Sequence, residues 1–362
     1  MSFAIVRLGA VVAVLATGLV TPCFAADPLG TAGPIRSAGW AICNGDVAAA
    51  ARGECDPPPV ASTLSSEQRS QARVERARDL IALLRMEQAA LELNTAVTED
   101  PANSAARLLR GRLNIPGKVG EAIRDVNATL RIDPDNADAL ATRAFLLMGQ
   151  DDKGSLQDAT KARVLVPGSA DAHWIRSLIL TRMGRLEEAE QDLNSAAAIE
   201  PGNPRTLMSR AEVRMLMGKA AEARDDATAV LAIRPDVGAF QARAVVQAQS
   251  GDYAAALDDL NAILGQPGDR PVAGPLGRDF VDLHIQRAIA LTRIGKPSEA
   301  KRDLETIVTF GGARAVLQLQ LYLRDHGFPD VTLDGKRSDQ LDDALQACFI
   351  NDACGRGMTV PG

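Results

Sequence analysis

An Arg followed by a very small residue recurs seven times along this chain, as Arg76-Ala77, Arg110-Gly111, Arg143-Ala144, Arg176-Ser177, Arg210-Ala211, Arg243-Ala244 and Arg287-Ala288. The steps are about 33–34 residues, the last one longer. Pro101, Pro134, Pro167, Pro201 and Pro235 run in step with it. Two independent markers with one period define a repeat array, in which each unit buries its apolar face against its neighbours and the whole offers a surface more readily than a reaction centre.

The stretch Ala170 to Asn203 shows what one unit is. Ala170 to Arg182 is a helical run with Trp174, Leu178 and Leu180 among polar positions, and Met183-Gly184 ends it. Leu186 to Ile199 is a second helix, stopped at Glu200-Pro201-Gly202-Asn203 because Pro cannot continue a helix interior. The unit is helix–turn–helix–turn. It recurs over 204–235 and 237–265, with Gly218 and Gly251 at the same turn and Gly295 in the last unit. The first unit has no Gly there, and 265–277, rich in Gly and Pro, is expected to be a loop before the last unit. Aromatic residues are only 3% of the chain, so the core must pack small and branched side chains closely.

These features resemble the tetratricopeptide repeat family. That family places a small residue on the first helix of each unit, a small residue early in the second, and a Pro at the close. Here the second-helix residues are Ala89, Ala122, Ser155, Ala189, Ala223, Ala256 and Ala300. The resemblance implies an all-α, right-handed superhelical solenoid of about seven helix-turn-helix units over residues 70–311, with its first helices lining a concave face. By helical spacing, Trp174, Met208, Glu212, Met215, Gln241 and Ile285 fall on the outward side of those helices, where an apolar, Met-bearing strip suits a peptide or a partner helix; the same positions also suit packing between units. One subclass of the family grips a C-terminal carboxylate with Lys and Asn. The matching positions here carry Trp174, Leu178, Met208 and Glu212, so that specificity is not expected.

Each repeated Arg has an acid 15 or 16 residues further on: Glu92, Asp125, Asp158, Asp192, Asp226, Asp259 and Asp303. This puts an Arg on the first helix and a carboxylate on the second helix of every unit. Structural ion pairs Arg176–Asp192, Arg210–Asp226, Arg243–Asp259 and Arg287–Asp303 are expected, with the earlier units following the same rule. Such a pair is worth little when exposed, and losing one partner is costly when it is buried.

The first 25 residues carry a different message. Arg7 precedes an apolar run from Leu8 to Val20, Thr21-Pro22 breaks it, and Cys23-Phe24-Ala25 puts small residues at the −3 and −1 positions of a cut before Ala26. This predicts a secretory signal peptide over 1–25, with an uncleaved anchor as the alternative, although the run is short for a span. No other stretch reads as a membrane span, so none is expected after cleavage. Four cysteines then remain: Cys43, Cys55, Cys348 and Cys354. An even number in an exported chain suggests disulfides, and local pairing, Cys43 with Cys55 and Cys348 with Cys354, is the most economical of three connectivities. A zinc site would need two pairs from opposite ends of the chain.

Residues 26–69 read as a disulfide-closed segment holding Trp40, followed by a linker containing Asp56-Pro57-Pro58-Pro59. At the other end, 312–362 has an amphipathic helix around Val316, Leu319, Gln320 and Leu323 ended by Gly327, then an Asp334-Gly335 turn and a helix from Gln340 to Cys348. This segment resembles the small three-helix peptidoglycan-binding-like domain of bacterial envelope proteins. It departs from that pattern at Arg337, Ser338, Leu341 and Cys348, where an aromatic, a Gly, a Thr and an aromatic are usual, so the helices fit a solenoid cap as well as a glycan reader.

The net charge of −6, one unit more negative without Arg7, and the lack of any basic stripe exclude nucleic acid as the expected partner. His173, His284 and His326 are far apart, the first two at one repeat position as packing residues would be, and no triad order, zinc spacing or phosphate loop is present. No cofactor and no enzymatic activity are expected. The reading is a periplasmic or secreted scaffold of a Gram-negative envelope that binds a protein or peptide, with peptidoglycan as the second candidate partner.

Overall fold

The computed structural model describes residues 59–115, 117–265 and 279–350, and these are helical with no strand among them. The expected leader at 1–25, Trp40, Cys43, Cys55, Cys354 and all but Gly265 of the expected loop at 265–277 lie outside the described residues. The chain divides into two compact units, Met1–Pro201 and Gly202–Gly362.

The first unit contains α1 (Ser66–Ala82), α2 (Met86–Glu99), α3 (Ser104–Asn114), α4 (Val119–Ile132), α5 (Ala137–Leu147), α6 (Asp152–Leu165), α7 (Ala170–Arg182) and α8 (Leu186–Ile199). The second contains α9 (Pro204–Leu216), α10 (Ala220–Ile233), α11 (Val237–Gln249), α12 (Tyr253–Leu264), α13 (Asp279–Arg293), α14 (Pro297–Phe310), α15 (Gly312–Asp325), α16 (Asp339–Leu345) and a π-helical turn, Gln346–Ile350. Helices α1 to α14 form seven antiparallel pairs, each helix packing most heavily on its pair partner.

Each pair starts and turns for a local reason. The Pro that closes one unit is followed by an N-cap for the next: the side chains of Asn103, Asn136, Ser169, Asn203 and Asp236 accept hydrogen bonds from backbone N–H groups of the first turns of α3, α5, α7, α9 and α11. Each such cap is worth about 1 kcal/mol. Between the two helices of a pair, the chain passes through a left-handed residue, Gly184, Gly218, Gly251 or Gly295, at φ of 72°, 74°, 82° and 79°. The next amide then reaches back to a carbonyl of the helix just ended, as in Arg185 N to Leu180 O at 2.9 Å and Lys219 N to Arg214 O at 2.8 Å.

The first pair makes the same turn without a Gly, and Leu84 takes the left-handed conformation instead, at φ 59°. A left-handed L-residue costs roughly 1–2 kcal/mol, and Gly returns part of that gain as chain entropy. Leu84 is 52% exposed, so little packing is lost on replacing it. Leu84→Gly is therefore expected to stabilise the chain by about 0.5–1 kcal/mol, read as a rise in the urea midpoint; a fall would show that the Leu84 side chain packs more than its exposure suggests.

The small residues mark where paired helices meet. Ala77, Ala144, Ser177, Ala211 and Ala288 on first helices, and Ala89, Ala122, Ser155, Ala189, Ala256 and Ala300 on second helices, are all fully buried. At Gly111 the approach is closest: a Cβ there would lie 3.2 Å from Val126 Cγ2 and 3.3 Å from the Ala122 carbonyl. Branched side chains fill the space between, such as Val74, Leu80 and Leu93 in the first unit and Leu260, Leu291 and Ile307 in the second.

The last helices share a core with the last repeat. Val316, Leu319, Leu323, Val331, Leu341, Leu345 and Cys348 form one cluster with Ile285, Ala288, Leu291, Leu304 and Ile307. Gln320 closes the connection between α15 and α16. Its Oε1 accepts from the amides of Asp334 and Gly335 at 3.1 and 2.9 Å, and its Nε2 donates to Asp334 Oδ1 and the Lys336 carbonyl, both at 3.0 Å. Gly335 is at φ 67°, and a Cβ on it would sit 2.6 Å from the Ala313 carbonyl oxygen, so this turn is closed to larger residues. Among the described residues no helix is long and apolar enough to cross a membrane.

Candidate functional site

The recurring Arg of each repeat pairs with the recurring acid of the same repeat. Arg110 grips Asp125 with Nε and Nη2, both at 2.7 Å. Arg143 holds Asp158 at 2.6 and 2.9 Å, Arg210 holds Asp226 at 3.0 and 2.6 Å, and Arg243 holds Asp259 at 2.8 and 2.6 Å, all in the same two-pronged geometry. Arg76 lies 3.1 Å from Glu92, and Arg287 reaches Asp303 with Nε at 2.8 Å. Arg176 meets Asp192 through Nη1 at 3.0 Å, while His173 Nδ1 approaches the same carboxylate at 3.0 Å; His284 sits equivalently, 3.2 Å from Asp303. Donating hydrogen bonds to the paired Asp carboxylate holds the guanidinium groups of Arg110, Arg143 and Arg243 above their ordinary pKa.

A third partner stands in several of these contacts, and sequence reasoning missed it. Arg110 Nη1 donates to Asn94 Oδ1 at 3.2 Å, Arg143 Nη1 to Asn127 Oδ1 at 3.2 Å, and Arg287 Nη1 to Asn261 Oδ1 at 3.0 Å. Each Asn belongs to the preceding repeat and stands two residues after that repeat's own acid. The guanidinium therefore ties one pair of helices to the next. The signal was present as Asn94, Asn127, Asn194 and Asn261, each at that offset.

The residues that helical spacing sets on the outward side belong to the first helices. These pack side by side from repeat to repeat: α5 against α7 in the first unit, and α9 against α11 and α11 against α13 in the second. In the first unit Trp174 is half-buried on this face, its ring 6.1 Å from that of Phe145 and inclined by 26°. In the second unit Glu212, Met215 and Gln241 are half-buried, with Val245 and Ile289 following Glu212 at the same repeat position.

Two of the expected face residues are instead core. Met208 is 9% exposed and packs with Leu207, Val230 and Ala239. Ile285 is 4% exposed, because the C-terminal helices cover that side of α13 and take it into their cluster with Val316 and Leu319. Neither can anchor a partner without repacking.

Glu212 is chemically apart from the other acids. No hydrogen bond or ion pair reaches its carboxyl among the described residues, and desolvation alone pushes its pKa up to about 7. It keeps part of its surface accessible, so the group is both poorly hydrated and reachable. Among the described residues no cluster of His, Cys, Asp and Glu is arranged to hold a metal ion.

Paired helices repeated in this way, with small residues at the crossings, define a helical-repeat protein. Residues 153–204 match the tetratricopeptide repeat model. Solved structures share the architecture. PilW, titled a widely conserved type IV pilus biogenesis factor, is 20% identical, with the match covering 54% of this chain and 91% of that one at a TM-score of 0.50. A chain of the APC/C hetero-tetramer Cut9-Hcn1 is 15% identical, covering 76% of this chain and 48% of that one at a TM-score of 0.56. Pseudomonas aeruginosa pilF is 15% identical over 55% of this chain and 92% of its own, at 0.48. At these identities the likeness is one of fold. No curated protein matches the sequence.

Proposed function

We propose that this chain is a non-enzymatic scaffold of the bacterial cell envelope that binds a protein or peptide on the face of its first helices. The observation that carries this reading is the division of labour among side chains. The repeated Arg residues are turned inward onto acids and Asn residues, while the first-helix faces keep Trp174 partly accessible in the first unit and Glu212, Met215 and Gln241 partly accessible in the second. A strip with apolar anchors and a few polar groups suits a peptide better than a small polar substrate. Export is supported by the leader at 1–25 and by Cys348, which is disulfide-bonded and buried. The proposed organisation is the leader, a segment at 26–69, repeats over 70–311 and a C-terminal helical segment over 312–362.

The test is site-specific photocrosslinking in the native host. Probes at Met215 and Gln241 are expected to give the same discrete adduct, and a probe at the exposed second-helix residue Val164 none. Met215→Ala is expected to lower the adduct yield from the Gln241 probe several-fold with the helical content unchanged, and Gln241→Ala to do the same for the Met215 probe. Adducts that form equally from Val164, or that survive both substitutions, would sink the reading. Binding to isolated peptidoglycan that is lost on truncation near Gly312 would favour the glycan alternative instead.

A further inference from the structure

Glu212 is a carboxyl group without a counter-charge among the described residues. The cations nearest to it in sequence on α9 are committed: Arg210 and Arg214 both donate to Asp226, at 2.6 and 2.7 Å. On α11, which packs against α9, Arg243 is held by Asp259, and its other sequence neighbours on the face are the uncharged Gln241 and Val245. Met215 stands one helical turn beyond Glu212 and packs against Ala211 and Ala223, while Val245 and Ile289 repeat the position of Glu212 on α11 and α13; all three are half-buried, Ile289 against the C-terminal cluster. The result is one partly accessible carboxyl, unpaired among the described residues, on a face whose equivalent positions in the next two repeats are apolar.

An acid in such surroundings is poorly satisfied when the face is bare. A carboxylate that exchanges thin hydration for a charge-assisted hydrogen bond gains more than one already paired. We propose that Glu212 reads a basic side chain of the partner: the bound segment is a peptide presenting Lys or Arg at this point, with apolar residues on either side meeting Met215, Val245 and Ile289. This rests on the reading that the partner docks on the first-helix face, and adds the chemistry of what is recognised. The same charge arithmetic argues against an acidic segment, which would place a second anion beside a carboxyl that already lacks a partner.

The experiment is selection of a randomised peptide library on the purified full chain at about pH 8, followed by affinity measurement on re-synthesised peptides. Enriched sequences are expected to share one Lys or Arg flanked by apolar residues. Glu212→Gln, which conserves shape, is expected to weaken these peptides at least about tenfold. Glu212→Lys is expected to reverse the preference, binding the same peptide better once its basic residue is replaced by Glu. Peptides that lose affinity with Met215→Ala or Val245→Ala, yet lack a basic residue or ignore Glu212→Gln, would overturn this inference and spare the docking face. No enrichment, or binding indifferent to every substitution on the face, would overturn both. Self-association that Glu212→Gln disperses would make a second copy of the chain the occupant, and would likewise overturn the proposal.

Discussion

Replacing Arg287 with Ala is expected to destabilise the Gly202–Gly362 unit by about 3–5 kcal/mol, read as a fall in the urea midpoint or as loss of a cooperative transition. The reason is burial. The side chains of Arg287 and Asp303 are 1% and 0% exposed, so removing the guanidinium strands a carboxylate that water cannot reach. His284 would be the remaining neighbour of that carboxylate, and Asn261 and the Gly265 carbonyl would lose a donor as well. Replacing both partners with apolar side chains of similar volume is expected to cost much less than either single change, because no orphaned charge is left.

The equivalent pair in an earlier repeat bounds the claim. Arg143 and Asp158 have the same geometry with side chains 29% and 15% exposed, and Arg143→Ala is expected to cost only about 1 kcal/mol. Arg210 and Asp226 lie between these cases and supply the cycle: Arg210→Ala, Asp226→Ala and the double variant should show a coupling above about 1 kcal/mol, whereas additive losses would mean that the contact is not energetically a pair.

The repeated Arg, the small residue after it and the acid half a repeat later are legible in sequence because every unit must solve the same packing problem, so the solution recurs at one period. The array and its helix boundaries follow from that period together with the Pro and Gly positions. Burial on one face does not follow. Helical spacing says which side of α9 or α13 a residue occupies, and says nothing of what covers that side. Spacing alone therefore leaves Ile285 either on an open face or in packing, and α15 and the C-terminal turn enclose it. Met208 takes the packing alternative for a related reason: an unbranched side chain near a helix edge turns into whatever gap its neighbours leave, here between Leu207 and Val230. The Asn residues two places after the acids were overlooked because an uncharged residue gives no reason to look for a partner one repeat later. The isolation of Glu212 is a property of the whole set of cations, visible only once each Arg has been assigned its acid.

Glu212→Gln is expected to stabilise the chain by an amount that depends on pH, small near pH 4 and on the order of 2–3 kcal/mol by about pH 8. Desolvation raises the folded-state pKa from the ordinary 4.5 to about 7, so the folded chain holds this proton more tightly than the unfolded chain does. The neutral carboxyl contributes its full advantage at pH values below the unfolded pKa. That advantage is lost as the pH rises through 4.5 to 7, the window in which the unfolded state releases the proton first; above it, folding must carry an ionised, poorly hydrated carboxylate. Gln has the same shape and no charge, so the difference in unfolding free energy between the two proteins isolates this one group from every other carboxylate that titrates in acid. A difference that stays flat between the two pH values would mean that the carboxyl is hydrated after all. A peptide that supplies a cation should erase the difference by restoring a partner to the charge, so ligand-saturated wild type should no longer lag behind Glu212→Gln at about pH 8. That joins stability to recognition: the residue that weakens the bare chain is the one whose defect a basic partner repairs.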